Sequence, residues 1–177
     1  ALRNQIVRGE NRALLKDRRR QVDREKLETF IKSLPYALTS DQRQALEEGL
    51  TDMDSPHVMY RLLQGDVGTG KTLVAALLAY ANHLRSEQTA IMAPTDALAR
   101  QHFDTLKALF QGTNMEIGLL VGNMSAEERH NVLEDLSDGT LDLVVGTHAL
   151  FSKGVNYAYL GLAVIDEQHK FGVNQRS

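Results

Sequence analysis

Five short apolar runs alternate with stretches of helical periodicity, and that alternation narrows the folds open to this chain more than any other feature. The runs are Met59 to Leu63, Thr89 to Ala93, Ile117 to Val121, Leu141 to Val145 and Leu162 to Ile165. Between them the apolar spacing predicts helices over 71–85, 96–110 and 125–137, the last opened by a capping box from Ser125 to Glu128, with a shorter helix after Thr147. Strands separated by helices pair in parallel through right-handed crossovers, because a two-residue hairpin cannot join parallel neighbours. The last two runs are almost wholly apolar, as strands become when helices cover both faces of a sheet. The expectation is an α/β fold, a mostly parallel central sheet flanked by helices, with ligands at the carboxyl ends of its strands.

Ahead of this pattern, Thr39 to Gln42 opens a helix predicted to run through Leu50, and a turn follows around Asp52 to Pro56. Residues 1–33 are rich in good helix formers but hold one clear apolar stripe, Leu27, Phe30, Ile31 and Leu34, with Pro35 ending the helix. We therefore divide the chain into a helical extension, 1–35, and an α/β unit, 36–177. Part of the extension is expected to be displaced or to contact another copy, and Arg18, Arg19 and Arg20 read as a solvated face.

Charge sharpens this division. Residues 1–33 carry ten Lys/Arg against five Asp/Glu, leaving ten against eighteen for the remainder. A uniformly basic nucleic-acid binder is excluded, whereas a local basic strip or backbone contacts to phosphates are not. The 177 residues contain no cysteine, which removes disulfides, thiolate zinc sites and thiol nucleophiles. No apolar run approaches the roughly 20 residues of a membrane span, and the first ten residues lack the apolar middle of a signal peptide. A soluble, cytoplasmic protein is the expectation. His57, His83 and His130 lack metal-ligand spacing and are expected on the surface, and there is no Ser/His/Asp triad.

The chemistry concentrates in two places. GDVGTGKT, comprising Gly65, Asp66, Val67, Gly68, Thr69, Gly70, Lys71 and Thr72, follows a predicted strand and opens a predicted helix. Its glycines let backbone amides wrap closely around phosphates at a positive helix end. Lys71 would neutralise β and γ oxygens, and the Thr72 hydroxyl would bind Mg²⁺. The second place is LAVIDEQH, an apolar strand ending in adjacent acids that a buried strand end tolerates only with a partner. Mg²⁺ is that partner. Asp166 is the candidate magnesium carboxylate, bound directly or through a water, Glu167 the group that positions and deprotonates water, and Gln168 and His169 candidate sensors of the γ-phosphate. Together the two motifs point to hydrolysis of a nucleoside triphosphate. Gln42 has two compatible accounts: it closes the capping box on Thr39, and its amide can read the adenine edge, which would select ATP.

A weaker set runs along the same predicted sheet edge. Pro94 and Thr95 precede a helix carrying Arg100, Gln101 and His102, Gly122 and Asn123 follow the third strand, and Thr147 and His148 the fourth. Helix starts of this kind offer amides and hydroxyls to nucleic-acid phosphates without many basic side chains, although each is also an ordinary capped helix. From the residues alone, a P-loop ATPase that remodels proteins and a non-catalytic nucleotide-dependent module remain open beside a DNA motor.

The complete set resembles superfamily 2 helicases over about residues 34–177. LTSDQ is similar to their Q motif, GDVGTGKT to motif I, APTDALARQH to motif Ia, GTHAL to motif Ib and DEQH to motif II. Within the superfamily, LLQGDVGTGKTLVAALLA, MAPTDALARQH, VVGTHALF and VIDEQHKFGVNQR are most similar to the first motor lobe of the bacterial RecG family, whose members remodel branched DNA. The transcription-repair coupling factors share several of these motifs but usually read DEEH, so Gln168 favours the former. The resemblance implies a RecA-like P-loop NTPase lobe using ATP and Mg²⁺ on forked or branched DNA in repair and recombination, in a bacterial, nucleoid-associated protein, with residues 1–33 similar to the helical connector before the motor. It also implies a larger parent, because motif III, the second RecA-like lobe with its arginine finger, and the wedge domain that grips branched DNA are missing from these residues. An arginine finger is worth roughly 10³ to 10⁵ in rate. The lobe alone is expected to be nearly inactive.

Overall fold

The structure is a computed structural model and describes residues 21–54, 57–63 and 70–167. Its strands are β1 (Met59–Leu63), β2 (Gln88–Met92), β3 (Ile117–Leu120), β4 (Leu143–Gly146) and β5 (Leu160–Asp166). They form one sheet in the order β1-β5-β2-β4-β3, with every neighbouring pair parallel. The helices are α1 (Arg24–Lys32), α2 (Ser40–Asp52), α3 (Lys71–Leu84), α4 (Asp96–Leu109) and α5 (Ala126–Ser137), and a 3₁₀ turn spans His148–Phe151. None of these is long and apolar enough to cross a membrane.

Both faces of the sheet are covered, which explains the unbroken apolar runs. Leu143 and Val145 of β4, with Leu162 and Val164 of β5, point into a core shared with α1, α2, α3 and α4. Val144 and Leu160 point the opposite way, into a second core with Leu136 of α5, Leu150 and Tyr157. Alternation along a strand, with both sides apolar, is the condition for a sheet buried on both faces.

Most strand ends fall within one residue of expectation, and two starts depart by two residues, each for a local reason. β4 starts at Leu143 rather than Leu141, because the Asp142 carboxylate and backbone turn aside to bind Glu116: its Oδ2 accepts from the Glu116 amide at 2.8 Å and its own N–H donates to the Glu116 carbonyl. β5 begins at Leu160, two residues early. Gln88 pairs with Leu160 but Thr89 pairs with Leu162, so Gly161 is the extra residue of a bulge. A side chain there would overlap Glu87 and Asn82.

The stripe on α1 docks inward as spaced. Leu27, Phe30 and Ile31 are buried, and the Phe30 ring stacks on Tyr80 of α3 at 4.5 Å and on Phe110, just past α4, at 5.4 Å. Arg24 and Arg43 make ion pairs with Glu47 and Glu28 across α1 and α2. The Arg24 hydrogen bond holds the Glu47 carboxyl below its ordinary range. Residues 24–34 are therefore packed on the same core as α2 and α3 rather than displaced from it, while Arg18 to Arg20 lie outside the described residues.

Candidate functional site

β1 and β5 finish side by side. Leu63 is in register with Asp166, and the Glu167 amide donates to the Leu63 carbonyl at 3.3 Å. The strand that leads into the glycine-rich motif and the strand that delivers the acid pair thus end at the same place on the sheet. Gly65, Asp66, Val67, Gly68 and Thr69 lie outside the described residues, as do Gln168 and His169. The far end of the motif is described: Gly70 is the N-cap of α3 with φ +84°, and Lys71 and Thr72 form its first turn, Thr72 half-buried.

That helix start is chemically distinct. The amino ends of α1, α2, α4 and α5 are capped by the side chains of Asp23, Thr39, Thr95 and Ser125, and each has an acidic residue in its first turn. α3 has no side-chain cap and no acid in its first turn. The first amides of a helix need acceptors and its positive end attracts anions, so the uncapped end is suited to a phosphate.

Gln42 braces this end. Its Oε1 accepts from the Thr39 amide at 2.9 Å while its own amide N–H donates to Thr39 Oγ1, completing the capping box, and Nε2 reaches the Gly70 carbonyl at 3.4 Å. A Cβ on Gly70 would overlap the Gln42 amide. Both amide atoms therefore have intramolecular partners, and the structural account of Gln42 is complete in itself.

Asp166 is buried at the carboxyl end of β5, and one of its oxygens, Oδ2, lies 2.8 Å from Nε2 of His102. Glu167, the next residue, is half-buried. Among the described residues no cluster of three or more acids and histidines could cage a metal by itself. A magnesium ion typically uses one or two carboxylates together with substrate phosphates and water. A buried carboxylate at the end of the strand paired with β1, together with a hydroxyl in the first turn of the uncapped helix, is a donor set that fits that chemistry.

The loops after β2, β3 and β4 are joined along the same edge. Ala93 donates to the Gly146 carbonyl at 2.8 Å, Thr147 donates to Leu120, the Asn123 amide donates to Asp96 Oδ2 at 3.1 Å, and Arg100 donates to the Asn123 carbonyl at 2.7 Å. Arg129 secures the Val121 carbonyl. Arg100, Gln101, Gly122, Asn123 and His148 are exposed, whereas Pro94 and Thr95 are half-buried and Thr147 is buried. Thr95 Oγ1 is occupied by the Leu98 amide and Thr147 Oγ1 faces Ala149, so these hydroxyls serve their own helix starts. His102, grouped by sequence with this edge, turns instead towards Asp166. His83 also differs from expectation: it is not a free surface residue, with Nδ1 3.1 Å from Asp142 Oδ1, off the line of a regular hydrogen bond, and Nε2 3.1 Å from Asn114. The Asp142 carboxylate raises its pKa against the opposing effect of burial.

The family model of the DEAD/DEAH box helicases matches residues 39–177. This chain belongs to the DEAD/DEAH box helicase family. Among proteins of known function, the ATP-dependent DNA helicase RecG of Streptococcus pneumoniae is 49% identical over 172 residues, covering 97% of this chain and 25% of that protein. RecG of Bacillus subtilis is 45% identical over 175 residues, covering 99% and 26%. The chain thus spans about a quarter of the length of these relatives. A structure of RecG bound to a three-way DNA junction superposes with a TM-score of 0.74 at 31% identity, over 93% of this chain and 26% of that one. A hypothetical ATP-dependent RNA helicase from Sulfolobus tokodaii, 20% identical with a TM-score of 0.58, shares the fold. The helicase sheet is therefore that of a RecA-like lobe.

Proposed function

We propose that residues 36–177 form the ATP-binding motor lobe of a bacterial DNA helicase that hydrolyses ATP to move on and remodel forked or branched DNA, with 1–35 as the connector leading into it. The observation that carries this reading is that β1, which leads into the glycine-rich motif, and β5, which ends in the buried Asp166, finish in register with each other, while the helix that follows the motif starts without a side-chain cap. The likeness to RecG over nearly the whole chain supports DNA as the track and a nucleoid-associated location in the cytoplasm.

In this proposal the amides of Gly65 to Gly70 and the α3 amino end cradle the phosphates of ATP, and Lys71 neutralises the β and γ oxygens. Thr72 and Asp166 hold Mg²⁺, which when bound supplies positive charge to the phosphate oxygens. Glu167 accepts a proton from the attacking water and keeps it in line with the γ-phosphorus. Gln168 and His169 report on the γ-phosphate. Gln42 braces the loop through Gly70, and its remaining amide hydrogen is available to the adenine edge. Arg100, Gln101, Asn123 and His148, with the backbone of Pro94, Thr95, Gly122 and Thr147, face the phosphates of a DNA strand. A second RecA-like lobe, proposed to close on this edge, would complete the hydrolytic site.

The test is Lys71→Ala in the full-length protein, assayed for ATP hydrolysis with and without forked DNA and for fork unwinding. Loss of both activities, together with DNA stimulation of the unaltered protein, is expected. Fork unwinding that survives the substitution would refute the assignment. Hydrolysis indifferent to single-stranded and forked DNA would move the reading to a protein-remodelling ATPase.

A further inference from the structure

We propose that His102 is a positioning residue for the nucleotide site, donating its Nε2 hydrogen to Asp166 and thereby fixing the carboxylate that presents to magnesium. This deepens the reading above and rests on Asp166 as the magnesium carboxylate.

The argument begins with burial. The Asp166 side chain is 1% exposed and that of His102 15%, and 2.8 Å between Nε2 and Oδ2 is a full hydrogen bond. An ionised carboxylate has only lone pairs to offer, so in this pair the imidazole is the donor and Nε2 carries the hydrogen. A carboxylate taken out of water needs such charge-assisted bonds, and they also settle the rotation of its plane. Around metals, partners of this kind orient the ligand and matter nearly as much as the ligand itself.

The placement of His102 is as specific as its bond. It stands in α4 six residues after Asp96, which binds the Asn123 amide, and two after Arg100, which binds the Asn123 carbonyl. Asp96 and Arg100, four apart, share one face of the helix, and a residue two further on lies about 200° round. One face of α4 is thus bonded to the loop after β3, and another to the acid at the end of β5. His102 ties the proposed magnesium site to a rigid element whose opposite side serves the proposed DNA edge.

The experiment measures binding of a fluorescent ATP analogue to the full-length protein as Mg²⁺ is titrated, alongside affinity for forked DNA without nucleotide and thermal melting of each variant. For His102→Leu, the Mg²⁺ needed for half-maximal nucleotide binding rises about 10- to 100-fold. Analogue binding in EDTA and DNA affinity stay with the parent. His102→Gln, whose amide nitrogen reaches about as far as Nε2, restores the Mg²⁺ requirement to within a few fold. Should the leucine variant not fold, His102→Asn, with the amide one methylene short, takes its place in the comparison. An unchanged Mg²⁺ requirement overturns the proposal, as does a glutamine variant as impaired as the leucine one. So does a loss confined to DNA affinity, which would make His102 a DNA contact. Asp166→Asn is the separate control: if Mg²⁺ dependence survives that change, the assignment of the magnesium site itself fails, whatever His102 does.

Discussion

Replacing Gly70 by alanine tests whether Gln42 and the glycine-rich motif are mechanically joined. Gly70 has φ +84°, and an alanine there costs about 1–2 kcal/mol for the left-handed backbone alone. The new methyl also occupies the space of the Gln42 amide, so Gln42 must swing away and release its bond to the Thr39 amide. Loss of that half of a capping box adds about 1 kcal/mol. The expected destabilisation of Gly70→Ala is therefore about 2–3 kcal/mol by urea denaturation of this chain followed by far-UV circular dichroism, with an unchanged denaturant slope. Gln42→Ala alone should cost about 1 kcal/mol. In the double variant there is no amide left to displace, and the two effects should fall short of additivity by about 1 kcal/mol. A double variant additive to within about 0.3 kcal/mol would show that the two residues do not share a contact. A Gly70→Ala protein as stable as the parent would show that the left-handed N-cap is wrongly described.

Two further outcomes follow from buried polar groups. Gln88 donates to the carbonyls of Leu136 and Leu141 at 3.0 and 2.9 Å and accepts from the Tyr159 amide at 2.8 Å, so Gln88→Leu should cost about 2–4 kcal/mol in the same assay, and a near-neutral change would mean that water replaces the amide. His83 is raised above its ordinary 6.5 by the Asp142 carboxylate. The stability it contributes is therefore complete below 6.5 and fades as pH climbs through the higher folded value, so the urea midpoint of the parent should fall relative to His83→Gln as pH rises above 6.5, and parallel profiles would contradict the pairing.

What the sequence discloses here is whatever is local. Thr39 with Gln42 and Ser125 with Glu128 form the reciprocal caps their spacing predicts, because a cap involves four consecutive residues. The stripe Leu27, Phe30, Ile31 buries as its period requires, and the strands fall where apolar residues run together. The early start of β5 was hidden because Gly161 interrupts that run, and the reason for a glycine lies in Asn82 and Glu87, far off along the chain. The same holds for the site. The motif glycines and the acid pair are legible as strings, but the contact of His102 with Asp166 spans 64 residues and depends on sheet order and on the rotation of α4. His83 with Asp142 and Phe30 with Tyr80 are likewise products of tertiary placement, which no local period encodes.

The place of β5 between β1 and β2 has a consequence for how the molecule comes into being. β2 can pair with β4 beforehand, but β1, at the edge, has β5 as its one neighbour among the described strands, so a nascent chain must keep β1 unmatched through roughly a hundred residues of synthesis until Leu160 to Asp166 arrives. Pairings so distant in sequence form slowly. The strand that brings the acids is thus also the keystone of the sheet, and any copy cut short before it lacks the architecture as well as the chemistry.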